Sequence, residues 1–165
     1  MDMELKPLHK SAISSAMEKA NHYRLLNDPE NAESIFRDIL EHDANDQQAI
    51  IGLILTLSDQ FGDSMSQQKE ACNFAGQLSD EYLKFYYLGI IRERAGRKML
   101  ARNSPGCKHH AFDLFQEAME NFEEAENLSK DDNDDAVLRW NSCLRTIRKR
   151  KLAARPEDNY VPYGD

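Results

Sequence analysis

The chain has few of the residues that interrupt helices or cross-link a small fold. Its 165 residues include 7 Gly and 5 Pro, which excludes collagen-like and low-complexity chains and disfavours an all-β fold dense in turns. Cys72, Cys107 and Cys143 are odd in number and widely spaced, so neither a disulfide framework nor a CxxC pair is indicated. We therefore expect reduced thiols in a cytoplasmic protein.

A long apolar run is also missing. The most apolar stretch, Ala49 to Leu57, is too short to cross a bilayer, and Met1 to Lys10 lacks the apolar segment of a secretory signal. Acidic residues outnumber basic ones, 29 to 21, and the formal net charge is −8. Because an acidic surface repels nucleic acid and anionic membranes, we expect neither as a general partner.

Motifs that carry catalysis are absent too. The sequence contains no P-loop, GxSxG, HExxH or Rossmann glycine pattern. Cys107, His109 and His110 form the only cluster of soft ligands, but a structural zinc site needs a fourth ligand and usually a second spaced pair. A cysteine and a histidine two residues apart on a turn seldom form a nucleophile–base pair. We expect no metal, no cofactor and no enzymatic activity.

What the sequence does contain is helical periodicity. Hydrophobic residues make up 41% of the chain, and between about residues 8 and 151 they recur at spacings of three and four. Short polar or Gly/Pro breaks divide this region into seven predicted helices. At one break, Asp28 can cap the second helix and Pro29 fits its first turn. The predicted fold class is all-α, and residues 152–165 are predicted to be an irregular tail.

Small and aromatic residues alternate with a fixed spacing in the first two predicted helices. Ala20 and Tyr23 are followed across the turn by Ala32, Phe36 and Ile39. Small side chains let two antiparallel helices approach, and the rings fill the space beside them. This pattern resembles the tetratricopeptide repeat, a helix–turn–helix unit of 34 residues.

A second, partial copy of the pattern lies past the middle of the chain. The spacing of the first helix of the repeat is matched by Phe85, Leu88 and Gly89. The spacing of its second helix is matched by Ala118, Phe122 and Ala125. Gly89 and Ala118 are more than twice as far apart as Ala20 and Ala32, so extra residues are expected around the turn of an elongated third hairpin.

The resemblance implies one helical domain over residues 1–151, an antiparallel helix-hairpin stack of about seven helices. Its repeats would span about 13–46, 47–79 and 80–130, with a capping helix over 133–151. Arrays of this family are usually non-catalytic scaffolds that hold a partner peptide or helix in a concave groove. A protein or peptide partner is therefore expected here.

The resemblance also implies which side chains face the groove. The version of the family that clamps chaperone tails is excluded, because only Asn21 matches its pattern. The apolar members of the lining favour an amphipathic ligand, although Ile51 and Leu55 are equally consistent with burial by the neighbouring repeat. The expected groove residues are Ser14, Met17, Asn21, Arg24, Gln48, Ile51, Leu55 and Asp59.

A basic segment between residues 92 and 110 gives a second candidate surface. We expect the elongated hairpin to project as a positive knob formed by Arg94, Arg97, Lys98 and Arg102, although ion pairs with neighbouring helices explain the same charges. Two alternatives to a scaffold remain open. One is a homodimer that buries the aromatic fifth helix, and the other is a regulator that contacts nucleic acid through the basic hairpin. The aromatic, acidic end of the tail could dock in a groove.

Overall fold

A computed structural model describes residues 3–62, 65–130 and 132–156. Within these ranges the chain is all-helical and contains no strand, which confirms the predicted fold class. A short 3-10 turn, Lys10–Ala12, precedes the first helix. The helices are α1 (Ile13–Leu25), α2 (Pro29–His42), α3 (Gln47–Asp59), α4 (Ser66–Ala75), α5 (Glu81–Arg102), α6 (Cys107–Leu128) and α7 (Asp135–Arg150).

Aspartate side chains set the start of three helices. Asp28 Oδ1 accepts a hydrogen bond from the Asn31 amide at 3.3 Å, and Pro29 begins α2, as the sequence predicted. Asp46 caps α3 in the same way, with a bond of 2.9 Å, and Asp80 caps α5, with a bond of 3.0 Å. A cap of this kind satisfies an amide that has no partner inside the helix. Ser64 and Gln67 have the spacing of a capping box before the fourth helix, but Ser64 lies outside the described residues.

The helices form two layers. Each helix packs against the next one along the chain, and each odd-numbered helix also contacts the next odd-numbered helix, from α1 through α3 and α5 to α7. The odd-numbered helices therefore form a continuous layer, with α2, α4 and α6 packed on them. We call the exposed surface of this layer the odd-helix face.

The small residues and the phenylalanine of the first hairpin belong to an apolar cluster. Ala20, Ala32 and Phe36 are fully buried together with residues of α3. Gly52 of α3 faces the Phe36 ring so closely that a Cβ there would lie 2.3 Å from the ring. The predicted pattern thus marks close packing within the first hairpin and between α2 and α3.

The third hairpin is elongated because its helices are long. Helices α5 and α6 have 22 residues each, which corresponds to about 33 Å, and a short turn with positive φ at Asn103 and Gly106 joins them. The extra residues expected around the turn of this elongated hairpin extend both of its helices. The residues after α7 cover one side of the hairpin's end. Leu152 is buried in a second apolar cluster, formed by residues of α5, α6 and α7, and His109 Nδ1 lies 2.9 Å from the Ala153 carbonyl.

The remaining predictions concern the tail, the membrane and the cysteines. Residues 152–156 carry no helix, and the end of the tail, 157–165, lies outside the described residues. None of the helices in the described ranges has the length and apolarity needed to cross a bilayer. Cys72, Cys107 and Cys143 are free thiols.

Candidate interaction face on the odd-numbered helices

The predicted groove residues divide into an exposed group and a half-buried group. Ser14, Asn21 and Gln48 are exposed, whereas Arg24 is partly buried. The apolar members are half-buried, with Met17 and Ile51 packed against the cluster around α1–α4, and Leu55 packed against the cluster around α5–α7. Part of the apolar lining predicted for a ligand therefore already serves the core.

Arg24 and Asp59 join α1 to α3. Arg24 Nε and Nη2 donate to Asp59 Oδ2 at 3.1 and 3.0 Å. Both side chains are about a quarter exposed. A guanidinium that donates through two nitrogens is held in a fixed orientation, because its donors form a rigid planar fork. Two residues predicted to face the groove are thus brought together by the fold.

Arg94 of α5 extends this contact to a third helix. Its Nη1 donates to Asp59 Oδ1 at 2.6 Å and to the Leu55 carbonyl at 3.0 Å, and it also reaches Ser58 Oγ. The pKa of Arg94 is lowered by burial and, further, by the positive charges of Arg24 and Arg139, although Asp59 opposes the shift. We call Arg24, Asp59 and Arg94 the first ion-pair group.

A second ion-pair group, consisting of Glu93, Arg97 and Arg139, joins α5 to α7. Glu93 is only 2% exposed. Arg97 Nε and Nη2 donate to its Oε1 at 3.0 and 2.8 Å, and Arg139 Nη1 lies 3.4 Å from its Oε2. Arg97 also donates to Ser142 Oγ of α7 at 3.1 Å. A buried carboxylate requires such partners, because an uncompensated buried charge is strongly destabilising.

The basic residues predicted to form a knob reach different parts of the fold. Arg94 contacts α3, Arg97 contacts α7, and Arg102 Nη2 donates to the Gly62 carbonyl before α4 at 2.6 Å. Arg92, two residues before Arg94, pairs with Glu117 of α6 at 2.9 Å. Lys98 is exposed. Arg94 and Arg97 thus belong to the two ion-pair groups described above.

The sequence gives little indication that Glu93, Arg139 and Tyr87 belong to this region. Glu93 stands four residues before Arg97, which is a helical ion-pair spacing, but the sequence does not reveal that this carboxylate is buried. Arg139 lies 46 residues from Glu93, so local spacing does not indicate their contact. Tyr87 is half-buried between both apolar clusters, and burial raises its pKa. No sequence signal separates Tyr87 from its neighbours Tyr82, Phe85 and Tyr86.

The cysteine and histidines considered as metal ligands are held in other contacts. Cys107 is buried in the core cluster at the start of α6. The ring of His109 pairs with the Ala153 carbonyl, and His110 Nε2 lies 3.4 Å from Arg155 Nη2. In the part of the chain that the structure describes, no three His, Cys, Asp or Glu side chains are grouped so that they could hold a metal ion.

The sequence matches no protein-family model and no curated protein. What the odd-helix face can do is therefore inferred from its side chains. It offers fixed guanidinium groups, exposed polar side chains on α1 and α3, and half-buried apolar side chains between them. These features suit non-covalent recognition of another chain.

Proposed function

We propose that this chain is a non-catalytic protein-interaction module that binds a segment of a partner protein along the odd-helix face. One observation carries the proposal: two ion-pair groups fix a row of polar side chains across four helices that are consecutive in the odd-numbered layer. A surface whose side chains are already ordered loses little further entropy when a partner binds.

The lining also fits a chain segment rather than a small molecule. Exposed polar residues on α1 and α3 supply hydrogen-bonding groups, and Ile51 and Leu55 present the outer parts of half-buried apolar side chains. An extended or helical segment can use both kinds of contact along its length. The spacing of Ala20, Ala32 and Phe36, together with the contacts between successive odd-numbered helices, supports a tetratricopeptide-like array as part of this proposal.

The non-catalytic part of the proposal has separate support. The sequence contains none of the common catalytic motifs. Cys107 is buried, while His109 is engaged with a backbone carbonyl, so this pair lacks the exposed nucleophile–base arrangement that covalent catalysis uses. Three free thiols support the proposed cytoplasmic location.

The alternatives have less support. The aromatic residues of α5, which a homodimer was expected to bury, pack within the chain: Tyr86 lies 5.9 Å from Phe122 of α6, and stacks with Tyr82 at 5.7 Å, both measured between ring centroids. The basic side chains that would contact nucleic acid make ion pairs or hydrogen bonds with three different elements. The aromatic rings are therefore packed inside the chain, and the basic side chains are divided among contacts with different elements.

Steric blocking of the odd-helix face tests the proposal. The double variant Asn21→Trp/Gln48→Trp places bulky rings at two exposed positions of α1 and α3. The control Gln116→Trp/Asn127→Trp places the same rings at two exposed positions of α6. Proteins captured from lysate by the wild type would be identified, and one would be purified and its affinity measured.

We expect the blocked variant to bind the purified partner at least about tenfold more weakly, which corresponds to a loss of about 1.4 kcal/mol. The α6 control should bind as the wild type does. Equal binding by all three proteins, or a loss confined to the α6 variant, would show that the odd-helix face is not the binding surface.

A further inference from the structure

The charge of the odd-helix face differs from that of the whole chain. The two ion-pair groups contain four guanidinium groups but only two carboxylates. The formal net charge of the chain is −8. The two ion-pair groups therefore carry an excess of positive charge within an acidic molecule, and such local fields select partners of opposite sign.

The arginines of the two groups lie close enough to affect one another. Burial lowers the pKa of Arg94, and the positive charges of Arg24 and Arg139 lower it further. Arg24 belongs to the first ion-pair group and Arg139 to the second. Asp59 and Glu93 oppose this shift but do not cancel it. Glu93 and Arg94 are consecutive residues of α5, and they contact Arg139 of α7 and Asp59 of α3, respectively. The two groups therefore meet on α5 and form one region from α1 to α7.

The guanidinium groups also have donors to spare. Arg24 donates to Asp59 through Nε and Nη2, while the Arg139 guanidinium donates to Glu93 through Nη1 and also hydrogen-bonds Tyr86. Each guanidinium carries five N–H donors. The Arg97 and Arg139 side chains are 45% and 40% exposed, so each is partly open to solvent.

We infer that the partner segment is acidic, and that its carboxylates bind the free guanidinium donors of Arg24, Arg94, Arg97 and Arg139. This inference rests on the proposed function and specifies the chemistry of the partner. Hydrogen bonds between ionised groups are about twice as strong as neutral ones, and a guanidinium matches a carboxylate in shape.

A peptide fits this region better than a nucleic acid does. A nucleic acid carries a charge on every nucleotide, whereas this face combines a few guanidinium groups with the half-buried apolar side chains of Ile51 and Leu55. A peptide can place a few carboxylates at the arginines and apolar side chains against Ile51 and Leu55. Only the peptide uses both kinds of surface on this face.

The test uses a fluorescein-labelled peptide of eight glutamates, with a peptide of eight glutamines as the neutral reference. Arg24→Gln/Arg139→Gln removes two guanidinium groups but leaves Asp59 paired with Arg94 and Glu93 paired with Arg97. Both carboxylates keep a partner, so the fold is expected to survive. The control, Lys69→Gln/Lys108→Gln, removes the same charge from exposed positions of α4 and α6.

We expect the glutamate peptide to raise the fluorescence anisotropy at low ionic strength, and the glutamine peptide to leave it unchanged. The arginine variant should bind the glutamate peptide about tenfold more weakly than the lysine control. Added salt should weaken binding by the wild type. In the wild type, the Nε–Hε signals of Arg24 and Arg94 should shift on titration, a measurement that does not depend on any variant being folded.

Three results would overturn the inference. These are no binding of the glutamate peptide, equal weakening in both double variants, or tighter arginine-dependent binding of oligothymidine than of the peptide. If any of these occurs while Asn21→Trp/Gln48→Trp still abolishes binding of the captured partner, the partner is not acidic but the proposed function stands. If that steric variant also binds normally, both proposals fail.

Discussion

Glycine residues on the odd-numbered helices give room to phenylalanine rings from the even-numbered helices. A Cβ at Gly52 would lie 2.3 Å from the Phe36 ring, and a Cβ at Gly89 would lie 2.5 Å from the Phe122 ring. Both rings are fully buried, so they cannot move aside without disturbing the core. The identity of these residues is fixed by the distance between two helices, not by a turn.

Replacing Gly52 with Ala is expected to destabilise the fold. The added methyl group meets a buried ring, and overpacking of this kind costs about 1–3 kcal/mol, although Ala favours a helix over Gly by about 1 kcal/mol. The net loss should appear as a lower midpoint of urea unfolding.

Gly62→Ala is the matched control, because a Cβ there meets nothing within 4 Å. Its midpoint should stay close to that of the wild type. A Gly52→Ala protein as stable as Gly62→Ala would contradict the packing seen between α2 and α3.

At the scale of the element, α7 closes the end of the stack. The sequence predicted a terminal capping helix over residues 133–151, and the structure has α7 at Asp135–Arg150. The helix buries Cys143, and it joins α6 through a hydrogen bond of 2.9 Å from Trp140 Nε1 to Glu123. Burial, with a contribution from the negative charge of Glu93, raises the pKa of the Cys143 thiol to about 12.

This raised pKa makes the stability of the fold sensitive to alkaline pH. The unfolded chain releases the thiol proton near the ordinary pKa of about 8.5, whereas the folded chain retains it up to about 12. The free energy of unfolding should therefore fall between these pH values, by at most about 1.4 kcal/mol for each pH unit.

Urea unfolding of the wild type and of Cys143→Ala at several pH values between 7 and the onset of alkaline unfolding measures this effect. The variant should lose less stability than the wild type as the pH rises, whatever its stability at neutral pH. Tyr82 and Tyr87, whose pKa values are also raised by burial, contribute equally to both proteins. Parallel pH profiles would show that Cys143 makes no contribution.

At the scale of the whole molecule, two apolar clusters share the stack. One cluster is centred on α1–α4, with contributions from α5, and the other lies among α5, α6 and α7. Tyr87 packs against both clusters, and Leu55 of α3 packs against the second. In a linear array, each unit contacts only its neighbours, so cooperative unfolding depends on such shared residues.

Removing the Tyr87 side chain is expected to weaken this coupling. Truncation of a half-buried aromatic residue should cost about 2–3 kcal/mol, and the transitions of the two clusters should separate. Trp140, the only tryptophan, reports on the second cluster, while circular dichroism reports on all helices. In the Tyr87→Ala variant, the fluorescence and circular dichroism transitions should no longer coincide.

Tyr82→Ala provides the comparison, because Tyr82 packs against the second cluster alone. That variant should be less stable than the wild type, but its fluorescence and circular dichroism transitions should still coincide. Coincident transitions in Tyr87→Ala would mean that the two clusters are coupled through other contacts.

The sequence predicts the positions of the helices more closely than it predicts the contacts of the site residues. Capping by Asp28 and the burial of Ala20 and Ala32 in one apolar cluster follow from local spacing, and both are present in the structure. The roles of Arg94 and Arg97 do not follow from local spacing. A run of basic residues predicted a projecting knob, but the two side chains reach α3 and α7, respectively. Although Glu93 lies four residues before Arg97, the partners of Arg94 and Arg97 on α3 and α7 are 35 or more residues away in sequence.

The sequence alone determined that this chain is helical, where most of its helices begin and end, and that its third hairpin is long. Periodicity, capping and helix-breaking residues are local properties, so neighbours along the chain are sufficient to decide them. Only the tertiary structure decided which charges meet. The burial of Glu93 and the positive excess on the odd-helix face arise where α1, α3, α5 and α7 come together, and the energy of a charge depends on the groups that the fold places around it.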